Sequence, residues 1–215
     1  MLTQVYLLDI SGHLNYPVTK YLDYLPVERR ESILRYKFLP DQNRTLWAEL
    51  LAKKLIAGLL ARNFQDITIK RDSSGRPYHE NICFSLSHCS NWVACSIGDN
   101  INGVDIEIIS RRASLKISKR FYLQSEHNTI KFLHDNGQDW ERKFFEYWTL
   151  KESCLKCLNL NNWAEVDCEK LLSCNHEIAG RNFFLNDLVI ACCSKREYLP
   201  NNIIILEGGN NFING

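Results

Sequence analysis

Two carboxylates on alternate residues, Asp105 and Glu107 in Gly103-Val104-Asp105-Ile106-Glu107-Ile108, precede a Lys151-Glu152 pair in Trp148-Thr149-Leu150-Lys151-Glu152-Ser153-Cys154-Leu155-Lys156. Apolar and acidic positions alternate in the first segment with the period of a strand that buries one face, so both acids point the same way. At the usual strand rise their Cα atoms lie roughly 7 Å apart. One cation is within reach of both. Without it the carboxylates repel, and one is driven toward its protonated form. Ligation by a few oxygens suits Mg²⁺, which keeps waters and takes its other ligands from substrate phosphates. An Asp-x-Glu pair is also what a solvated strand face looks like, so the second segment has to carry the argument.

From Trp140 to Leu158 the apolar residues Phe144, Phe145, Trp148, Cys154 and Leu155 recur near the helical period and predict an amphipathic helix. Trp148, Glu152 and Lys156 are then successive i, i+4 neighbours. A Glu152–Lys156 surface pair would explain that spacing and contribute only about 0.2–0.5 kcal/mol. Glu152 adjoins the apolar face between Lys151 and Lys156, however, so an acid and two bases converge where the helix meets the core. Such a cluster can hold a metal beside a polyanion.

Other elements follow from pattern and turn chemistry. Val5 to Ile10 reads as a strand, and Pro26 opens a helix carrying Arg29, Arg30 and Arg35. Asp41 is the expected N-cap of the next helix, whose apolar stripe Leu46, Leu50, Leu51, Leu55 and Leu59 ends near Asn63. Arg44 falls in its first turn, where a cation opposes the helix dipole unless an anion joins it. Gly75-Arg76-Pro77 reads as a turn. Ile82 to Leu86 and Trp92 to Ile97 predict a hairpin with Ser87 and His88 near its tight end. No Gly-x-Ser-x-Gly elbow surrounds Ser87, so it is not read as a hydrolase nucleophile. After Ile108 the chain turns basic (Arg111, Arg112, Lys116, Lys119, Arg120) before Phe121-Tyr122 and Glu126, as a solvated helix face would. Strand-like runs follow at Phe183 to Cys193 and Ile203 to Leu206, and the Asn/Gly-rich residues from Gly208 read as a flexible tail.

A chain of 215 residues with 45% hydrophobic composition can build one large domain or two small ones. The net charge of +1 argues against coating nucleic acid, though it allows a local basic pocket. No apolar run is long enough to span a bilayer and no secretory leader is recognised, so the expected location is the cytoplasm. The nine cysteines are then expected as reduced thiols used as small apolar residues. Cys154-Leu155-Lys156-Cys157 has zinc-ligand spacing, but it falls inside the predicted helix and lacks a matching second pair.

The two acid segments, with Gly75-Arg76-Pro77 and Phe84-Ser85-Leu86-Ser87-His88 before them, resemble in order and spacing the 4′-phosphopantetheinyl transferases of the Sfp type. The family signatures are a G-[IV]-D-x-E strand and a W-[ST]-x-K-E-[AS]-x-x-K helix, and the resemblance runs from about Pro26 to Lys156. It implies an α/β (α+β) fold of two similar halves, here 1–108 and 109–207 with 208–215 as a tail, and an active site in the cleft between them. It implies transfer of the phosphopantetheine arm of coenzyme A to a serine of an apo acyl or peptidyl carrier protein, by a monomer. By the same resemblance Mg²⁺ is held by Asp105, Glu107 and Glu152. Arg29 and Arg44 bind the 3′-phosphate, Arg76 lies beside the adenine nucleotide, and Ser87 and His88 meet the nucleotide phosphates. Lys156 and His88 neutralise the pyrophosphate, Lys151 supports the coenzyme A site, and Glu152 is the general base. The basic segment after Ile108 would meet the carrier. Departures are Ser32, where some relatives carry a second base, Cys89 after Ser-His, and Cys154 after Lys-Glu-Ser. A Mg²⁺-dependent nucleotide pyrophosphate hydrolase could use the same three acids, and a zinc-stabilised module would use the cysteines instead.

Overall fold

The computed structural model describes residues 1–110, 112–173 and 176–206. Arg111, Cys174 and the tail expected over 208–215 lie outside the described residues. In chain order the elements are β1 (Gln4–Asp9), α1 (Thr19–Leu22), α2 (Val27–Leu34), α3 (Leu39–Leu60), β2 (Lys70–Arg71), β3 (Pro77–Tyr78), β4 (Cys83–Cys89), β5 (Trp92–Gly98) and β6 (Asn102–Ile108), then α4 (Leu115–Phe121), α5 (Gln124–Asp135), α6 (Trp140–Leu158), α7 (Cys168–Leu172), β7 (Ile178–Leu185), β8 (Leu188–Lys195) and β9 (Ile203–Leu206).

Two sheets form the centre, in the strand orders β4-β5-β1-β9 and β6-β8-β7. Their inner faces share one apolar layer, with Val5, Leu7 and Ala94 from the first sheet against Val104, Ile106, Leu188 and Ile190 from the second. The outer face of the first is covered by α3 and that of the second by α6. The edge strands β4 and β6 meet at the seam between the sheets, where serine side chains replace a backbone ladder. Ser85 Oγ accepts from Val104 N at 3.2 Å and Ser87 Oγ from Ile106 N at 3.3 Å.

The halves are therefore partitioned differently from the boundary at residue 108. Strand β6 pairs with β8, from Asn102↔Ser194 to Ile108↔Leu188, and belongs to the second sheet. Strand β9 returns to the first, parallel to β1. Alternation in β6 fixed which side chains share a face, but a strand's period carries no information about its hydrogen-bonding neighbour.

Three local expectations are also corrected. Helix α3 starts at Leu39 because Pro40 occupies its first turn, so Asp41 is not the N-cap and instead pairs with Arg44. Its middle is buried on nearly all sides, Asn43, Thr45, Glu49 and Lys53 included, rather than along one leucine stripe; Leu59 is exposed. The run from Phe183 to Cys193 is the hairpin of β7 and β8, turning at Asn186 with φ +53°.

Candidate active site

Helix α6 lies directly on β6 because Gly103 has no side chain: a Cβ there would overlap the Ser153 carbonyl oxygen and press on Cys157 N. Asp105 and Glu107 share the face of β6 that looks toward this helix, and the close approach sets Glu152 and Lys156 beside them. Lys156 Nζ donates to Asp105 Oδ1 at 2.6 Å and to Val104 O at 3.1 Å. It pairs across to the strand rather than with Glu152 along its own helix. Ser87 Oγ, 2.8 Å from the same Oδ1, donates to it and so fixes the Asp105 carboxylate from the β4 side. Asp105 Oδ2 is buried with no hydrogen-bond partner among the described residues.

The acids perturb one another. Burial, and then the Asp105 charge, push the Glu152 carboxyl above the ordinary carboxylate range. The same two causes raise Glu107, whose Oε2 accepts from Cys89 Sγ at 3.3 Å. Burial drives the His88 imidazole below its usual value, helped by the positive charges of Arg44 and Lys156. Burial and Glu107 push the Cys89 thiol up to about 12, so it is not a nucleophile at neutral pH.

Two clefts open along the seam and share His88. The first, about 620 Å³, runs between α3 and α6 past Arg29, Glu49, Arg71, Arg76, Ser87, Glu152 and Lys156. The second, about 760 Å³, holds Arg44, Cys89, Glu107 and Arg112 against Phe144, Phe145 and Trp148. Arg76 Nη1 reaches Asn159 Oδ1 at 3.3 Å, just past the end of α6, and so bridges the two halves across the first cleft.

Most residues singled out in the sequence gather here. Lys151 is fully buried on the far side of α6, where it pairs with the equally buried Glu126 at 2.8 Å and donates to Val166 O. It cannot touch a ligand in either cleft, and its expected place in a coenzyme A site is withdrawn. Lys151 and Glu152 are adjacent on a helix whose successive side chains diverge by about 100°, so the two diverge to opposite environments. Glu126 and Tyr122 are likewise interior rather than part of an exposed docking face, although Phe121 is exposed with Arg120 over its ring. Arg44 lines the second cleft, bonded to Ser90 O and Asp41, so it does not share the first cleft with Arg29. Sequence reasoning missed Glu49 and Arg71; the available signal was one acid inside the apolar run Leu46-Trp47-Ala48-Glu49-Leu50-Leu51.

As the side chains stand, no three His, Cys, Asp or Glu residues among the described ones converge to hold a metal ion. The donor set at the seam still has the chemistry of a hard-cation site: three carboxylates, two of them raised by burial and then by the Asp105 charge, and one buried oxygen without a partner among the described residues. Cys154 and Cys157 are buried in α6, and the eight cysteines among the described residues are free thiols. No helix among the described residues is long and apolar enough to cross a membrane.

Comparison with known proteins adds the family. A model described as 4′-phosphopantetheinyl transferase, N-terminal, matches residues 16–97, and one described as 4′-phosphopantetheinyl transferase superfamily matches residues 102–201. The chain is 33% identical over 141 residues to the 4′-phosphopantetheinyl transferase gsp of Aneurinibacillus migulanus, covering 65% of this chain and 58% of that one. Identity to 4′-phosphopantetheinyl transferase Sfp of Bacillus subtilis (strain 168) is 27% over 140 residues, covering 64% and 61%. The L-aminoadipate-semialdehyde dehydrogenase-phosphopantetheinyl transferase of Mus musculus is 27% identical over 148 residues, covering 62% and 48%. The matches thus span about half to three fifths of the length of these relatives.

Proposed function

Because this chain belongs to the 4′-phosphopantetheinyl transferase superfamily, we propose that it moves the phosphopantetheine arm of coenzyme A onto a serine of an apo acyl or peptidyl carrier protein, releasing 3′,5′-ADP. The observation that carries this reading is the seam itself, where Ser87 and Lys156, both bonded to Asp105, face one cleft with Glu152, and arginines line its far end. A long nucleotide with a phosphomonoester and a pyrophosphate along its length suits a cleft with basic groups at both ends.

The carrier serine oxygen attacks the β-phosphorus. The bond from that phosphorus to the bridging oxygen breaks, and the oxygen leaves with 3′,5′-ADP. Glu152 takes the serine proton, directly or through water, and its raised proton affinity suits that role at neutral pH. Lys156, held by Val104 O and Asp105, presents a fixed positive charge to the pyrophosphate. His88, which lines both clefts, contacts the phosphates as a hydrogen-bonding group. Asp105, Glu107 and Glu152 are the residues that would hold Mg²⁺, which supplies charge neutralisation on the pyrophosphate when bound. The second cleft, with Phe144, Phe145 and Trp148, lies on the acceptor side in this reading. The protein works as a cytoplasmic monomer, where its thiols stay reduced.

Intact-protein mass spectrometry of apo carrier proteins incubated with coenzyme A, Mg²⁺ and this protein tests the assignment. A mass gain of one phosphopantetheine arm, lost on adding EDTA, is the expected result. Cleavage of coenzyme A with no carrier gaining mass would instead identify a pyrophosphate hydrolase.

A further inference from the structure

Two thiols meet where α6 packs on β8. Cys154, on the helix, is 3% exposed and Cys193, on the strand, is fully buried. Cys193 donates its S–H to Cys154 Sγ, so the two sulfurs are in hydrogen-bond contact. Cys193 Sγ also accepts from Ser153 Oγ at 3.3 Å and lies 3.8 Å from Leu150 O, which seats it in the turn of α6 that ends at Cys154. Thiols sealed in apolar surroundings are inert, so access decides what this pair can do. Gly180 pairs with Cys193 across the strands, and a Cβ on it would lie 3.1 Å from Cys193 Sγ. The same glycine lines a third cleft of about 360 Å³, between α7 and β7 and separate from the two at the seam. That cleft ends one bare glycine away from the thiol, a gap that suits only a small oxidant.

We propose that Cys154 and Cys193 form a redox switch on the helix that carries Glu152 and Lys156, closed as a disulfide by hydrogen peroxide. One sulfur attacks a peroxide oxygen, the O–O bond breaks, and a sulfenic acid and one water form. The second sulfur then displaces that hydroxyl as another water and the S–S bond forms. Both thiol hydrogens end in water, and two electrons pass from the sulfurs to the peroxide. The cross-link acts on the site through α6. Gly103 already lets the helix so close to β6 that a Cβ there would overlap Ser153 O, so drawing Cys154 toward β8 turns or slides the helix instead of pressing it inward. Glu152 and Lys156 flank Cys154 in the sequence, and the 2.6 Å bond from Lys156 to Asp105 is disturbed with them. The regulatory consequence rests on the transfer reading of the seam, whereas the cross-link itself does not. In a reducing cytoplasm such a disulfide is transient, formed under oxidant and reversed by thiol exchange.

Treatment of the full chain with hydrogen peroxide, then denaturation, alkylation of the remaining thiols and peptide mapping, tests the bond. Wild type should yield one cross-linked peptide pair holding Cys154 and Cys193. Transfer should fall about ten- to a hundredfold, as a displacement of reacting groups by about 1 Å would cause, and dithiothreitol should restore it. Cys154→Ala and Cys193→Ala should each transfer at the wild-type rate before treatment and keep that rate through it, with Cys154→Ser in their place if either alanine variant unfolds. Oxidation of Cys83 or Cys89 with the pair still reduced overturns the proposal, and so does a cross-link that leaves transfer unchanged. If the reduced protein modifies no carrier, the proposed activity fails by itself. The affinities of reduced and cross-linked protein for adenosine 3′,5′-bisphosphate, compared by calorimetry, then decide the switch: a difference of about tenfold or more upholds it, and equal affinities sink it.

Discussion

Charge is buried at two places around α6, and the two are resolved in opposite ways. Behind the helix, Glu126 and Lys151 are both fully buried at 2.8 Å, and the carboxylate also accepts from Leu123 N and Cys168 N. Lys151 adds Val166 O and the face of Tyr122. In front of it, Lys156 pairs with Asp105 alone, Glu107 and Glu152 have no ion pair among the described residues, and the buried Asp105 Oδ2 has no hydrogen-bond partner there. The first cluster is complete without anything from outside and fixes α5 and the Val166–Cys168 segment to α6. The second holds more negative charge than the protein neutralises, which a scaffold would avoid and a cation site requires.

The largest effect should come from breaking the complete cluster. Lys151→Met leaves Glu126 buried and uncompensated, and should cost about 3–5 kcal/mol of stability in urea unfolding. An unchanged midpoint would erase the contrast. Glu152→Gln tests the opposite claim. Transfer should fall about 10²- to 10⁴-fold while the unfolding midpoint holds or rises, because one repelling charge is gone. Gly103→Ala should be intermediate, losing about 1–3 kcal/mol and pushing α6 off β6. Its readout is both the midpoint and the loss of transfer, and normal turnover would show that the close helix contact does not set the site.

The smallest expected effect is in the pH dependence of stability without metal. Glu107 and Glu152 are raised in the folded state, so between the ordinary carboxylate value and their raised values the folded protein binds more protons than the unfolded chain. Stability from these groups is therefore greatest at acid pH and is lost as pH rises through that window. Glu107→Gln with Glu152→Gln should flatten this part of the unfolding profile, and Mg²⁺ should compress it in the wild type. A profile unaltered by the double substitution would place the repulsion elsewhere.

The acids were legible in the sequence because alternation in β6 and the helical period of α6 each fix a face locally. Lys151 was not, because its partner Glu126 lies 25 residues away on another helix and the helix buries both sides. Arg71 was invisible for a similar reason: a two-residue strand carries no period, and nothing in its neighbourhood points to its ion-pair partner Glu49. The seam serines were read as part of a motif, yet their backbone bonds to β6 depend on where two sheet edges meet, which no single strand encodes. The two similar halves followed from family resemblance, whereas the exchange of β6 and β9 across the division needed the strand pairings.

The parallel return of β9 to β1 bears on synthesis. As the chain emerges from the ribosome, β1, β4 and β5 are available long before residues 203–206, so the first sheet waits with the β1 edge uncovered while roughly a hundred further residues are made. A nascent chain stalled in that interval presents an open strand edge of the kind that recruits other strands. Closing the first half is thus the last pairing the described chain can make, and premature termination before Ile203 leaves the sheet that carries Ser87 and His88 open on its opposite side.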